Sequence, residues 1–407
     1  MNELSTVLRG RVVLEDSVVE DGVVVFEGSR IRAVGPLSSF DEGDGQVVRT
    51  VRATPPTDLT LLPGLVDVHC HGGGGASFPD ATTPEEVMTA VMEHRHHGTT
   101  SLVASCVTAA PEVLLRSAEL LGGLAEDGEL AGIHFEGPFV SQERCGAQDP
   151  AYIIAPDPGL TLELLHAAGG HAVSMTVAPE KEGSWGPGSV AEVLIGNGAV
   201  PSWGHTDSDP AHARAALDYS RAELAAHPGA RSPRATVTHL FNGMRPLHHR
   251  DPGPIAEFLS AAARGGAVVE LICDGVHLDP SIVRDVVETV GRDQCVFVTD
   301  AMAAAGMADG EYQLGPQAVT VRDGVARLTH GGAIAGGTSH LLDCVRQAVT
   351  RAGIPLVDAV HMASVQGARI LGDGTIGRLA PGCRADVVAV DADLNPVSVW
   401  RAGRAVS

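Results

Sequence analysis

The chain has 407 residues and a formal charge of -22 at pH 7, from 28 basic and 50 acidic side chains. That length suggests one large domain or two modest ones, and 44% apolar residues supply ample core. So acidic a field disfavours nucleic-acid partners and a polybasic membrane anchor, and no apolar run reaches the roughly 18 residues of a membrane span.

The opening residues, MNELSTVLRGRVVLED, lack the apolar stretch of a secretory leader, so a cytoplasmic protein is expected. Within residues 1–62, VLRGRVVL and GVVVFEGSRIRAVG read as short strands, with EDG and EGS as turns. From residue 63 the texture changes. Eight apolar or β-branched runs follow: LVDVH (65–69), TSLVASCV (100–107), AGIHFEG (131–137), AVSMTVAP (172–179), VPSWGHT (200–206), ATVTHLFN (235–242), VVELICDG (268–275) and QCVFVTDA (294–301). Helical segments separate most of them. In TPEEVMTAVMEHRHHG, Thr83 is placed to cap, with Pro84 in the first turn. PEVLLRSAELLGGLAED, SVAEVLIGNG, DPAHARAALDYSRAELAAH and DPSIVRDVVETVG are further connectors. Eight strand–helix alternations predict an α/β fold, a (β/α)₈ TIM-like barrel over 63–372. QAVTVRDGVARLTH predicts a hairpin insertion near 316–330, turning at Arg322-Asp323-Gly324. SHLLDCVRQAVTRAG and LVDAVHMASVQGARILG read as closing helices. Residues 373–407 are β-rich again and are expected to join 1–62 in a small β-sandwich domain built from both termini.

Composition narrows the chemistry. There is a single lysine, Lys181, so Schiff-base catalysis or a metal bridge of modified lysine has one candidate residue, and no GK[ST] phosphate loop exists. The seven cysteines are scattered without a CxxC pair, which points to a reducing compartment and away from disulfides or a zinc ribbon.

Barrel chemistry gathers at the carboxyl ends of the strands. His69 and His71 end the first strand, Glu136 the third, His205 the fifth and His239 the sixth; His277 follows the seventh and Asp300 ends the eighth. Taken singly, each has a structural reading: a polar strand-end pair, a helix cap, an ion-pair partner, a satisfied histidine. Six strands ending this way at one rim favour a metal site. Imidazole and carboxylate donors without clustered thiolates suit zinc, and also iron, manganese or cobalt. Such an ion lowers the pKa of bound water to about 7. A neighbouring carboxylate, for which Asp300 is the candidate, then moves the proton to a leaving amine. Metal-assisted hydrolysis of an amide or related C–N bond follows.

PGLVDVHCHGGGG, HFEGPF, GHT, THLFNGM, HHRDPG, DGVHL and TDAM occur in this order. With them the chain resembles the amidohydrolase superfamily, and within it the deacetylases of N-acetylated sugar phosphates. The resemblance implies removal of acetate from N-acetyl-D-glucosamine 6-phosphate, giving D-glucosamine 6-phosphate, in amino-sugar catabolism and cell-wall recycling. It implies Glu136, His205 and His239 as principal metal ligands, Asp300 as the catalytic aspartate and His277 as a histidine near the acetamido group. It implies Asn242, Gly243 and Arg250 as the loop holding the sugar phosphate, that arginine reaching across a homodimer interface. Ile334, Ala335 and Gly336 match a loop over the sugar, and Gly146 and Ala147 another substrate-facing loop. The retained pair His69 and His71 implies a second ion bridged by Glu136, so one or two divalent metals, zinc foremost, are expected. Gln148 stands where several relatives carry histidine, so a sugar contact differs. Cys145 in the same loop is either an oxidisable thiol or inert. His248, His249 and Arg250 give a dianionic substrate a local positive site, arginine matching phosphate with its planar fork. Two other functions stay open at this point: another amidohydrolase, acting on a cyclic amide or an N-acyl amino acid, and a non-catalytic scaffold of the same fold.

Overall fold

All eight apolar runs form strands in the computed structural model, which describes residues 5–40 and 45–407. They are β1 (Leu65–Cys70), β2 (Thr99–Cys106), β3 (Gly132–Glu136), β4 (Ala172–Val177), β5 (Val200–Trp203), β6 (Ala235–Val237), β7 (Ala267–Ile272) and β8 (Cys295–Val298). They pair in chain order into one eight-stranded parallel sheet. The ring draws together just beyond the strand ends, where Asp300 N donates to His69 O at 2.9 Å and His71 N to Ala301 O at 2.7 Å. Every strand residue is buried, as a parallel strand covered on both faces requires.

Eight helices wrap the sheet: α1 (Pro84–His96), α2 (Pro111–Glu126), α3 (Pro158–Ala167), α4 (Val190–Gly196), α5 (Pro210–Ala226), α6 (Ile255–Ala263), α7 (Pro280–Val290) and α8 (Leu341–Thr350). Thr83 and Glu86 close a capping box around the start of α1, with Pro84 in the first turn. Asp157, Asp209 and Asp279 cap α3, α5 and α7 by accepting backbone N–H groups of the first turn, each followed by proline. Two closing helices, α9 (Leu356–Ala363) and α10 (Val365–Leu371), complete the barrel. Inward-facing Val66, Val68, Val103, Val173, Val268, Ile272, Val296 and Val298 form one apolar cluster with Ala368, Ile370 and Leu371 of α10, which plugs the barrel at that end. Among the described residues, no helix is long and apolar enough to cross a membrane.

Strands from both termini form the small β domain. The strands Thr6–Val13, Val18–Glu27, Arg30–Pro36 and Thr60–Pro63 join Val387–Val390, Pro396–Arg401 and Arg404–Ala405 in one seven-stranded sheet, the two ends meeting where Leu62 pairs with Val388. Residues 1–4, part of the opening stretch read for a leader, and 41–44 within the first segment lie outside the described residues.

Three local expectations change. Glu20-Asp21-Gly22 is not a turn but lies inside Val18–Glu27, and the chain reverses earlier, where Leu14 N donates to Ser17 O at 2.8 Å. Gly22 serves close approach instead: a Cβ there would meet Val12 Cγ2 at 2.6 Å. Gly45–Ala53, within a stretch that reads as strands and turns, is helical, with Val47 and Val51 one turn apart on a face packed against Val23 and Val25. The insertion holds three strands rather than two: Gly310–Leu314 pairs with Gln317–Arg322, which pairs with Val325–Leu328 across the expected Asp323-Gly324 turn.

Candidate active site

Above the apolar plug the barrel interior turns polar. Asp67 accepts from Thr299 Oγ1 at 2.6 Å, His134 bridges Ser105 and Thr176 at 3.0 and 2.8 Å, and Thr176 meets Thr238 at 2.8 Å. Glu270 on β7 binds His69 Nδ1 at 3.0 Å and accepts the His239 backbone N–H at 3.1 Å. This layer supports the rim residues from below. Glu270 lies in no quoted motif, and although Asp67 and His134 sit within PGLVDVHCHGGGG and HFEGPF, only the inward parity of their strand positions could have pointed to their supporting role.

At the rim, donor atoms from five strand ends converge. Glu136 Oε1 lies 3.0 Å from His205 Nε2 and 2.9 Å from His239 Nε2, and those two nitrogens are 3.1 Å apart. Glu136 Oε2 lies 3.1 Å from His71 Nε2. His69 Nε2 is 3.2 Å from His71 Nε2, and Asp300 Oδ1 is 3.4 and 3.2 Å from the same two nitrogens. The donors thus form two buried groups sharing Glu136: one with His205 and His239, the other with His69, His71 and Asp300. His205, His239 and Asp300 have positive φ, at 45°, 26° and 49°. Each such conformation costs about 1–3 kcal/mol and re-aims a side chain just past its strand.

The donor chemistry fits a divalent cation. His205 Nδ1 donates to Arg144 O at 2.8 Å and His71 Nδ1 to Ser105 O at 3.2 Å. Those carbonyls hold the Nδ1–H form, which turns the Nε2 lone pairs inward. Bare lone pairs so close repel, while the edges match the roughly 3.3 Å edge of a tetrahedron with 2.0–2.1 Å bonds. The electrostatics agree. Burial works against a charged His69, yet the hydrogen bond to Glu270 and the charges of Asp300 and Glu136 raise it to about 9. Burial likewise opposes charge on His71, but hydrogen bonds to Asp300 and Glu136 raise it to about 10. Burial alone would raise the carboxyls, whereas the surrounding imidazoles bring Asp300 down to about 2 and hold Glu136 well below the usual range. The cluster therefore demands positive charge, which a divalent ion supplies.

A cavity of about 250 Å³ opens over this cluster, lined by Gly146, Ala147, Gln148, Asn242, Gly243, His277, Ile334 and Gly336, with Leu314 and Ala333 added. Gly243, at φ +58°, and Gly336, at φ +73°, allow two loops to close in: a Cβ would stand 2.8 Å from His205 Nδ1 and 2.9 Å from Asp300 O respectively. His277 presents its ring beside Asp300 with Nδ1 held by Asp274 at 2.7 Å. Burial disfavours its charge, but that bond raises its pKa. Gln148 is occupied at both ends, donating from Nε2 to Glu136 Oε2 at 2.5 Å and accepting from Thr108 N at 2.7 Å. Cys145, just before this loop's glycine, is half-buried, with its thiol pushed up by burial. Two expected residues stand apart. Ala335 is fully buried in the cluster under the insertion, and Arg250 is exposed on the loop after β6, outside the cavity lining.

A family model described as the amidohydrolase family matches residues 60–406. The N-acetylglucosamine-6-phosphate deacetylase of Bacillus subtilis (strain 168) is 32% identical, over 94% of this chain and 92% of its own. The N-acetylgalactosamine-6-phosphate deacetylase of Escherichia coli O157:H7 is 31% identical, over 99% of this chain and 100% of its own. A solved structure of a variant N-acetyl-D-glucosamine-6-phosphate deacetylase from Mycobacterium smegmatis, in complex with N-acetyl-D-glucosamine-6-phosphate, aligns with a TM-score of 0.87 and 38% identity over 99% of each chain.

Proposed function

The chain belongs to the amidohydrolase family, and from that premise we propose that it hydrolyses N-acetyl-D-glucosamine 6-phosphate to D-glucosamine 6-phosphate and acetate. The observation that carries this reading is the convergence of Glu136, His205 and His239 on one point beneath a small cavity, with Asp300 and His277 beside it. Those three residues would hold a first divalent ion; His69, His71, Asp300 and the second oxygen of Glu136 would hold another. Zinc is the expected metal, from the imidazole and carboxylate donors. When bound, it supplies Lewis acidity and a nucleophilic hydroxide near neutral pH.

The remaining work falls to the chain. Asp300, ionised among imidazoles, takes the proton of the attacking water and returns it to the departing amine, so that nitrogen leaves neutral. Asp274 keeps a proton on His277 Nδ1 and favours a second on Nε2, which then donates to the acetyl oxygen as charge develops there. Asn242 and the Gly146–Gln148 loop border the sugar. Among the described residues lining the cavity there is no lysine or arginine, so we assign the phosphate to Arg250 of a second copy in a homodimer. Seven unpaired cysteines, six of them buried, support a cytoplasmic setting.

Acetate release from the 6-phosphorylated sugar, with and without a chelator, tests the whole reading: no release from the metal-loaded protein would end it. The full-length match to an N-acetylgalactosamine-6-phosphate deacetylase favours a second reading. Because the two sugars differ only in configuration at C4, the ratio of kcat/KM for the pair decides between them.

A further inference from the structure

Away from the cavity, two imidazoles and a carboxylate meet where the end of α1 packs against the start of α8. Glu93 Oε1 lies 2.8 Å from His340 Nε2 and 3.3 Å from His97 Nδ1. One donor atom from each of the three falls within 4.8 Å of the others. We propose that Glu93, His97 and His340 form a binding site for a divalent transition-metal ion of zinc type, separate from the cavity cluster and bracing the barrel wall beside it.

Two imidazoles and one carboxylate, with the half-exposed face of His97 open for solvent ligands, is a zinc-type donor set. The ring of His340 is oriented from behind. Its Nδ1 lies 3.3 Å from Asp343 Oδ2, and the same oxygen accepts the His340 backbone N–H at 2.8 Å, so Nε2 faces Glu93. His97 stacks on that ring, with centroids 3.6 Å apart, and its Nδ1 is held by Glu93 O at 2.8 Å. A rotation of this half-exposed ring about χ2 moves Nδ1 from the carbonyl to an ion. The carbonyls that end α1 add the negative pole of the helix, which favours a cation there.

Glu93 itself is confined. A Cβ on Gly306 would stand 2.0 Å from its Oε1, one on Gly74 would stand 3.1 Å from its Cβ, and both glycines have positive φ, at 77° and 60°, so the loops after β8 and β1 close over Glu93 in a conformation that favours glycine. Those two loops follow Asp300 and His71. The neighbouring His94 is fully buried, its ring 5.5 Å from that of His340, and its Nδ1 has no hydrogen-bond partner among the described residues. A cation here would tie α1 to α8 and to both loops, so its effect is on stability and not on the chemical step.

Protein stripped by chelator and reloaded with Zn²⁺ or Co²⁺ should bind one ion more per chain than either His97→Gln or Glu93→Gln. His96→Gln, an exposed histidine of the same turn, should bind as the parent does. Zinc added beyond saturation of the cavity should raise the Tm of the parent by a few degrees and leave His97→Gln unmoved. His97→Gln should keep its metal-loaded hydrolytic activity within about twofold, which separates this site from the cavity cluster. Equal metal content in the parent and both variants would overturn the proposal.

Discussion

Asp300 is bounded by His69 and His71 on one side and by the substrate cavity on the other, a position from which one carboxylate can both accept and return a proton. Replacing it with asparagine keeps the shape and one ligating oxygen but removes the base. Asp300→Asn should therefore lower kcat by about 10²–10⁴-fold while metal content stays near that of the parent; turnover close to the parent's would remove Asp300 from the mechanism. Gln148 makes a different kind of contribution. Its amide holds Glu136 Oε2, the oxygen that faces His71 in the second donor group. Gln148→Leu should weaken metal affinity by about 10–100-fold, the usual cost of losing a group that orients a ligand, as read by competition with a chromogenic chelator. An unchanged affinity would mean that Glu136 is held by its imidazole partners alone.

Elements were legible in proportion to how fully packing decides their sequence. The eight barrel strands are buried on both faces, so each had to be a short run of apolar or β-branched residues, and each can be read directly. Helix starts were equally plain, because a cap and a proline act locally. Thr83→Ala removes the reciprocal bonds with Glu86 that open α1, and should cost ~1 kcal/mol, seen as a lower denaturant midpoint with turnover per folded molecule unchanged. Where local preference and packing disagree, the reading fails. GQVVRTVRA is rich in valine and was expected within strands and turns, yet Val47 and Val51 need the helical turn to reach Val23 and Val25 together. Strand Gly310–Leu314 was missed because its sequence, GEYQL, fully buries only Leu314 and carries a weak apolar pattern.

At the scale of the molecule, the proposed function asks a chain of net charge -22 to bind a dianion, so the positive charge has to be placed rather than general. Among the described residues the cavity lining supplies imidazoles and carboxylates but no arginine, while Arg250 stands exposed beyond its rim. In the proposed homodimer that residue would meet the neighbouring subunit's substrate. Arg250→Ala should raise KM for the 6-phosphorylated sugar at least tenfold and leave kcat within a few-fold, with little effect on the same sugar lacking phosphate. If both sugars respond alike, the phosphate is held elsewhere. Sedimentation of the parent, showing a monomer at assay concentration, would exclude the shared site.

The amino-acid sequence by itself determined the strand–helix alternation, the ends of most elements and the identity of the rim residues. Those follow from burial, caps and side-chain chemistry, which act at or near the residue that carries them. Only the tertiary structure decided which groups serve them. Glu270 lies 201 positions from His69, and Gln148 lies 12 from Glu136; neither spacing has meaning until the barrel curls and strands far apart in the chain become neighbours. The same closure sets Asp300 against His69 and His71, because the ladder from His69 O to Asp300 N and from Ala301 O to His71 N fixes the last strand beside the first.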